Sequence, residues 1–181
     1  MHHDLNDTIS LLSHTPAALD SLLRGLPATW ISRNEGESTW NVAGVIGHLI
    51  HSEQNNWIPR AKMVLEAGES QTFAPFNREG HAREIEGKSI AELLDTFAQL
   101  RSENIQALRA LNIGSGDLQR RGQHPALGTV TLSELLATWA AHDLTHLHQI
   151  ARIMAYQYRE AVGPFRRFLG VLQCDGHSSA A

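Results

Sequence analysis

Four long segments of the chain repeat apolar residues at steps of three and four, the spacing that gives an α-helix one buried face. These segments cover residues 4–24, 40–67, 89–111 and 131–156. No stretch alternates apolar and polar residues for long enough to form a sheet, and only residues 128–132 indicate extended chain. We therefore predict an all-α fold, an antiparallel four-helix bundle with long crossover connections through residues 69–87 and 112–130.

Local signals mark the ends and the interruptions of these helices. Ser89 and Thr131 are each followed three residues later by a glutamate, the capping-box pattern that begins a helix. Proline lacks a backbone N–H and clashes with the preceding turn. We therefore expect Pro16 to kink or restart the first helix and Pro59 to bend the second.

Composition and charge limit the class of protein. The length of 181 residues fits one domain over residues 1–181, and a hydrophobic content of 42% is enough for a core. The formal net charge of -4 lacks the basic excess that binding to a nucleic-acid backbone requires, so we expect no nucleic-acid partner. No apolar run approaches the roughly 18 residues of a membrane span, and we expect neither insertion nor export. Cys174 is the single cysteine, which excludes an internal disulfide and favours a reducing cytoplasm.

Histidine is the unusual residue of the composition, with eleven copies. His142 and His146 are four residues apart in the fourth helix, so their side chains point about 40° apart with Cβ atoms about 5–6 Å from each other. Two imidazoles at this spacing can bind one ion. His148 points about 120° away from His142 and is excluded from the site. The pair alone is weak evidence for a metal site, because helical histidines at this spacing are often surface residues or core residues with hydrogen-bond partners.

A catalytic zinc site takes three protein ligands and keeps one position for water. His48 is the best third ligand, because it borders the apolar stripe of the second helix, whereas His51 lies farther round towards the opposite face. Gly44, one turn before His48, leaves space beside the ring. Asn55, two turns after it, is expected to place an amide on the same side as a supporting group.

Several other side chains have competing interpretations. Asp143 lies near the middle of the apolar stripe, where it either orients a ligand imidazole, holds the start of the second helix near Trp40, or caps backbone donors without contacting the site. Glu53 and Arg60 share the inner side of their helix and are expected to pair. We expect three tryptophans to lie in the core: Trp40, Trp57 and Trp139. We expect four histidines to be exposed to solvent: His14, His81, His124 and His177.

Other site classes lack their motifs. A zincin needs His-Glu-x-x-His, and here Asp143 follows the first histidine. A di-iron carboxylate bundle needs two Glu-x-x-His pairs, and the sequence has none. The glycine-rich stretch over residues 114–128 lacks phosphate-loop spacing, and there is no Gly-x-Ser-x-Gly elbow. Cys174 has no pattern of activation around it.

The combination of Trp40, followed eight residues on by His48, with the segment His142-Asp143-x-x-His146 resembles the DinB-like, or DinB/YfiT-like, metal-dependent enzymes. The resemblance covers most of the chain. It implies a four-helix bundle, often dimeric, in which His48, His142 and His146 bind a divalent metal, usually zinc or nickel. Relatives in the superfamily include thiol S-transferases and a mycothiol-dependent maleylpyruvate isomerase that use low-molecular-weight thiols. One of those branches has a carboxylate ligand, which the all-histidine set here does not match.

Three neutral imidazoles leave the full charge of a dication on the site, so that a bound water ionises near neutral pH or a thiol binds as thiolate. The expected function is that of a metal-dependent hydrolase or thiol S-transferase acting on a small molecule, with a low-molecular-weight thiol as a candidate cosubstrate. The alternative is a non-enzymatic metal-binding or stress-associated bundle. The resemblance also implies a homodimer.

Overall fold

The computed structural model describes residues 4–174. Its seven α-helices and two strands follow one another as α1 (Leu5–Leu23), α2 (Ala28–Ser32), α3 (Val42–Asn55), α4 (Trp57–Glu66), α5 (His81–Ile85), α6 (Ile90–Ala110), β1 (Arg121–His124), β2 (Gly128–Thr131) and α7 (Leu132–Tyr156). The bundle consists of α1, the consecutive pair α3 and α4, α6, and α7. Both α1 and α3 pack against α6 and α7. Within residues 4–174, no helix has the length and apolar character that crossing a membrane requires.

The capping boxes form as the sequence predicts. Oγ of Ser89 accepts from the backbone N–H of Glu92, and Oγ1 of Thr131 accepts from that of Glu134. Each glutamate in turn accepts from the backbone N–H of its capping residue. These paired bonds satisfy free donors at the helix start, so α6 and α7 begin one residue after their caps.

The two prolines affect their helices differently. Helix α1 continues through Pro16 without a restart. Pro16 cannot donate to the carbonyl of Leu12, but Nη1 of Arg101 donates to that oxygen at 2.8 Å. The predicted second helix is divided into α3 and α4 at Asn56, whose φ of -111° departs from the usual helical value of about -63°. The break precedes Pro59 because the proline removes the bond to the carbonyl of Asn55, four residues earlier.

The predicted loops contain structure that the all-helical pattern missed. Strands β1 and β2 form an antiparallel hairpin in which Arg121 pairs with Thr131 and His124 with Gly128. Strand β2 lies where the sequence indicated extended chain, at residues 128–132, whereas β1 was not predicted. A strand of four residues is too short to show a clear alternation. Helix α5, inside the predicted loop 69–87, packs on α3. The contact is close at Gly47, where a Cβ atom would lie 2.5 Å from Cγ2 of Ile85 and 3.0 Å from the carbonyl oxygen of His81.

The core consists of two apolar clusters that lie at different heights along the bundle. One includes Leu12, Trp57, Leu108 and Trp139, and the other Leu19, Leu49, Phe97 and Ile150. On each long helix, the residues between the two clusters include buried polar side chains. His142, His146 and Glu53 belong to this intermediate layer, and His48 lies beside Leu49 of the second cluster.

Candidate metal centre

Three histidine side chains converge between α3 and α7. Nε2 of His48 lies 3.0 Å from Nε2 of His142, which lies 3.1 Å from Nε2 of His146. The ligand atoms of all three lie within 4.8 Å of one another. His48 and His146 are buried and His142 is half-buried. The structure thus brings together the three histidines that the sequence singled out.

Helix geometry explains this convergence. His142 and His146 are one turn apart on α7, with ring centroids 4.3 Å apart. His48 lies on the face of α3 that packs against α7, and its ring centroid is 4.7 Å from that of His146. His148, two residues after His146, is exposed and takes no part.

Gln149 orients one of the three rings, and the sequence analysis missed it. Its Oε1 accepts a hydrogen bond from Nδ1 of His146 at 2.7 Å, and both residues are buried. The proton of His146 is therefore on Nδ1, and the lone pair of Nε2 faces the other rings. A carbonyl-bearing side chain three residues after a candidate ligand in a helix is a signal that could have identified it.

The three rings are held in the neutral form, which is the form that binds a metal. Burial, and then the neighbouring histidines His146, His81 and His51, lower the pKa of His48 to about 3. Burial and the same kind of repulsion lower the pKa of His142 well below its ordinary value. Burial also lowers the pKa of His146, although the bond to Gln149 opposes the change.

The donor set fits a zinc-like dication. Zinc ligands at about 2.0–2.1 Å from a tetrahedral ion lie about 3.3 Å apart, close to the two short Nε2 separations. Nδ1 of His48 and Nδ1 of His142 are buried without a hydrogen-bond partner among residues 4–174, so no described side chain turns either ring away from the centre. Three imidazoles whose Nε2 atoms converge are ligands that zinc, nickel or copper take up.

Aromatic and histidine rings surround the cluster. The ring centroid of Trp40 lies 4.9 Å from that of His48 and 4.5 Å from that of His81. Trp57 meets the ring of His142 edge-on at 5.2 Å. Trp40 packs against the second apolar cluster, in line with its predicted core role, and it is also part of the site wall. It occupies the space beside Gly44. His81, predicted to be solvated, is buried by α5 against α3.

The cluster opens into a cavity of about 660 Å³. Helices α3, α4 and α7 form its walls together with the segment 73–78 and the hairpin. Trp40, Trp57 and Phe76 lie on it near the histidines, and Leu127 and Leu135 extend its apolar lining. A small molecule can thus reach the three rings.

A buried ion cluster of Glu53, Arg101 and Asp143 lies next to the histidines. Nη1 and Nη2 of Arg101 donate to the two carboxylate oxygens of Asp143 at 2.5 and 2.9 Å, and Nη2 also donates to Oε1 of Glu53 at 2.9 Å. All three residues are buried: Asp143 is 0% exposed, Arg101 1% and Glu53 2%. Burial opposes the charge of Arg101, but the bonds to Asp143 and Glu53 prevail and raise its pKa.

This cluster corrects two expectations. Glu53 does not pair with Arg60; it also accepts from Nε1 of Trp139 at 2.9 Å and from Nδ2 of Asn104 at 3.0 Å. Among the described residues, Asp143 forms no hydrogen bond with a histidine ring or with Trp40, and Arg101 donates to both of its oxygens. It joins α7 to α6 immediately beside His142.

The remaining candidates lie apart from the cluster. Asn55 is exposed and bonds His51 through the backbone oxygen at 2.9 Å and Nδ1 at 3.2 Å, so it does not support His48. His14 is exposed on α1. Nδ1 of His124 accepts from the backbone of the hairpin turn at 3.2 Å. His177 lies outside the described residues.

The fold and the convergent histidines define a four-helix-bundle protein with a candidate metal centre open to a cavity. A family model of the DinB superfamily matches residues 11–150, and the chain belongs to this superfamily. Among solved structures, the chain is similar to YfiT from Bacillus subtilis, described as a probable metal-dependent hydrolase with an unusual four-helix bundle topology. The TM-score is 0.72 at 21% identity, over 89% of this chain and 90% of that one. This likeness confirms the predicted fold; the comparison with curated proteins gave no match.

Proposed function

We propose that this chain is a divalent-metal-dependent enzyme in which His48, His142 and His146 hold zinc or nickel. The observation that carries the proposal is the meeting of three neutral, inward-facing Nε2 atoms at the inner end of a cavity. A dication held by neutral imidazoles keeps its full charge and lowers the pKa of a water or thiol that binds it.

The side chains of the site prepare this chemistry. Gln149 keeps the proton of His146 on Nδ1, away from the centre. Trp40 and Trp57 cover His48 and His142 and limit the access of bulk water. Arg101 fixes α7 at Asp143, next to His142, and α3 at Glu53, five residues after His48. The rings are thereby held in place before a ligand arrives.

The nucleophile in this proposal comes from outside the chain. Ser52 lines the cavity, but its Oγ has no hydrogen-bond partner among the described residues, so none of them acts as its base. A water makes the protein a hydrolase, and a low-molecular-weight thiol makes it a thiol S-transferase. The description of YfiT as a probable metal-dependent hydrolase supports the first reaction.

Metal analysis tests the centre. Protein purified without a nickel column is expected to contain, or to take up, about one zinc or nickel per chain. The variant His48→Ala is expected to lose this metal. The variant His148→Ala removes an exposed histidine of α7 and is expected to keep it. A wild-type protein that retains no metal after incubation with zinc, nickel or manganese contradicts the proposal.

Activity separates the enzymatic proposal from its alternative. The metal-loaded protein is tested on activated esters and amides, and on electrophiles with added thiols. Turnover that disappears in His48→Ala supports an enzyme, and the thiol dependence identifies the reaction. Stoichiometric metal without turnover on either panel favours the alternative, a non-enzymatic metal-binding or stress-associated module.

We also propose that the chain works in the cytoplasm as a homodimer of single-domain subunits. The family resemblance supports the dimer, and the single cysteine supports a reducing compartment. Size-exclusion chromatography with light scattering is expected to give twice the mass of one chain. A mass equal to that of one chain contradicts the dimer.

A further inference from the structure

Four polar residues mark a route along the cavity from the histidine cluster. His48 and Ser52 on α3, Asn56 at the break and Arg60 on α4 follow one another at four-residue steps, and all four line the cavity. Backbone bonds of helical type continue past the break, from Asn56 N–H to Ser52 O at 3.0 Å and from Arg60 N–H to Asn56 O at 3.1 Å. From His48 to Arg60 the chain advances about 18 Å at about 1.5 Å per residue. The cavity therefore extends well beyond the histidines.

Two residues on this route have polar atoms without a protein partner. Oγ of Ser52 and Oδ1 of Asn56 are buried and form no hydrogen bond within the described part of the chain. Ser52 is 1% exposed. A buried polar atom left unpaired costs about 1–3 kcal/mol. Both residues line the cavity, where a bound molecule can supply the missing hydrogen bonds.

Arg60 adds a buried positive charge at the far end of this route. It is 9% exposed, Nη2 donates to the carbonyl oxygen of Ala74 at 3.1 Å, and the guanidinium lies 5.1 Å from the centre of the Phe73 ring. None of the ion pairs among residues 4–174 includes Arg60, and burial lowers its pKa. Glu134 also lines the cavity, but its carboxylate caps α7 through Thr131.

A guanidinium stays charged in proteins, and burying a charge is costly unless an opposite charge pairs with it. Nη2 uses one donor on Ala74, which leaves further N–H groups for an oxyanion. The exposed Arg78, also on the cavity, adds positive charge nearer to His48. The electrostatics of this wall therefore suit an anionic ligand.

We propose that the cavity binds a small molecule with an anionic group, a carboxylate or a phosphate, that pairs with Arg60 while its reactive end lies at the histidine cluster. The proposal rests on the proposed function, because the metal centre defines the reactive end. Ser52 and Asn56 bind the polar middle of the ligand, and Val130 and Leu135 contact its apolar part.

A matched pair of probes tests the charge requirement. Mercaptooctanoate and its neutral amide, mercaptooctanamide, share a thiol and an alkyl chain and differ only in the anionic end. Calorimetry gives their dissociation constants for the zinc-loaded and the metal-free protein. The wild-type protein is expected to bind the carboxylate about tenfold to a hundredfold more tightly, the range of a hydrogen bond to a charged group. Octyl phosphate compared with octanoate decides between the two anions.

Variants assign the preference to Arg60. The change Arg60→Gln is expected to abolish the preference for the carboxylate over the amide. The change Arg60→Lys is expected to retain most of that preference. The change Arg109→Gln, at an exposed position of α6 away from the cavity, is expected to leave it unchanged. Equal binding of the two probes by the wild-type protein overturns the proposal, and so does a folded Arg60→Gln variant that keeps the preference.

The readouts distinguish the two proposals. Zinc content is measured for every variant, so a protein without metal counts against the proposed function. If the protein binds no metal, the preference of the metal-free protein for the carboxylate over the amide still tests the role of Arg60. If Arg60→Gln does not fold, the wild-type comparison and Arg60→Lys decide. Equal binding of the two probes by the wild type, or by a folded Arg60→Lys variant, overturns the anion site, and tighter binding of the carboxylate by both proteins supports it.

Discussion

Gln149 and His146 lie one helical turn apart on α7, and Oε1 of Gln149 accepts the Nδ1 proton of His146 at 2.7 Å. Because the bond occupies Nδ1, only Nε2 of His146 is free to bind an ion. The two other rings of the cluster have no such partner on Nδ1 among residues 4–174. His146 is therefore the ring whose orientation depends most on a single neighbour.

Replacing Gln149 with leucine is expected to weaken zinc binding by about 10- to 100-fold without changing its stoichiometry, because the acceptor is lost and the three histidines remain. Competition with a chromophoric chelator measures the affinity. The variant Gln149→Glu keeps an acceptor oxygen and is expected to bind zinc at least as well as the wild type. An unchanged affinity in Gln149→Leu contradicts an orienting role.

Replacing Arg101 with methionine is expected to lower the free energy of unfolding by about 3–5 kcal/mol, because Glu53 and Asp143 remain buried without their cation. Denaturant titration of the metal-free protein measures the change. Arg109→Met alters an exposed arginine on the same helix and is expected to stay within about 0.5 kcal/mol of the wild type. A similar small loss in both variants shows that the ion cluster does not stabilise the bundle.

Alanine at Gly47 is expected to separate α5 from α3, since its Cβ would lie 2.5 Å from Ile85 and 3.0 Å from a backbone oxygen. Overpacking of this kind costs about 1–3 kcal/mol. Gly44→Ala, one turn earlier, meets its nearest atoms at 3.4 Å and serves as the matched control with a smaller loss. Thermal unfolding of the two variants compares them, and equal midpoints speak against close packing of α5.

The metal-free protein is expected to lose stability as the pH falls below 6.5. Burial and neighbouring histidines lower the pKa of His48 from 6.5 to about 3. Between these values the unfolded chain binds a proton that the folded chain does not, whereas above 6.5 His48 is neutral in both states. The free energy of unfolding falls by up to about 1.4 kcal/mol per pH unit for each such histidine. Denaturant titrations along this range measure the slope, and His48→Gln is expected to reduce it.

The bundle was predictable because each long helix carries its own apolar period and, in α6 and α7, its own capping box. The break at Asn56 was not predictable. The sequence shows where Pro59 removes a backbone bond, but it does not show which residue leaves the helix as a result. The absence of a restart at Pro16 could not be predicted for a related reason. Its cost depends on whether a distant donor satisfies Leu12, and only the packed structure brings Arg101 there.

The meeting of His48 with His142 and His146 could be predicted because two of them are fixed by one helix and the third by the apolar stripe of another. Their binding of a metal stays a prediction. The partner of Glu53 could not be predicted, since Arg60 is near in sequence but Arg101 is near in space. Asn55 failed as a support because the i, i+4 neighbour that it bonds is His51. Such choices between partners depend on how helices pack.

Because Pro16 has no backbone N–H, the carbonyl of Leu12 within α1 lacks its helical donor and accepts from Arg101 instead. Because Arg101 requires that acceptor, α1 can dock on α6 at one height only; a slip of one turn, about 5.4 Å, would leave both the carbonyl and the guanidinium without a partner. Arg101 holds Asp143 at the same time. Pro16 on α1 thereby helps to fix the position of α7 along the bundle axis. That position determines where the imidazoles of α7 face α3.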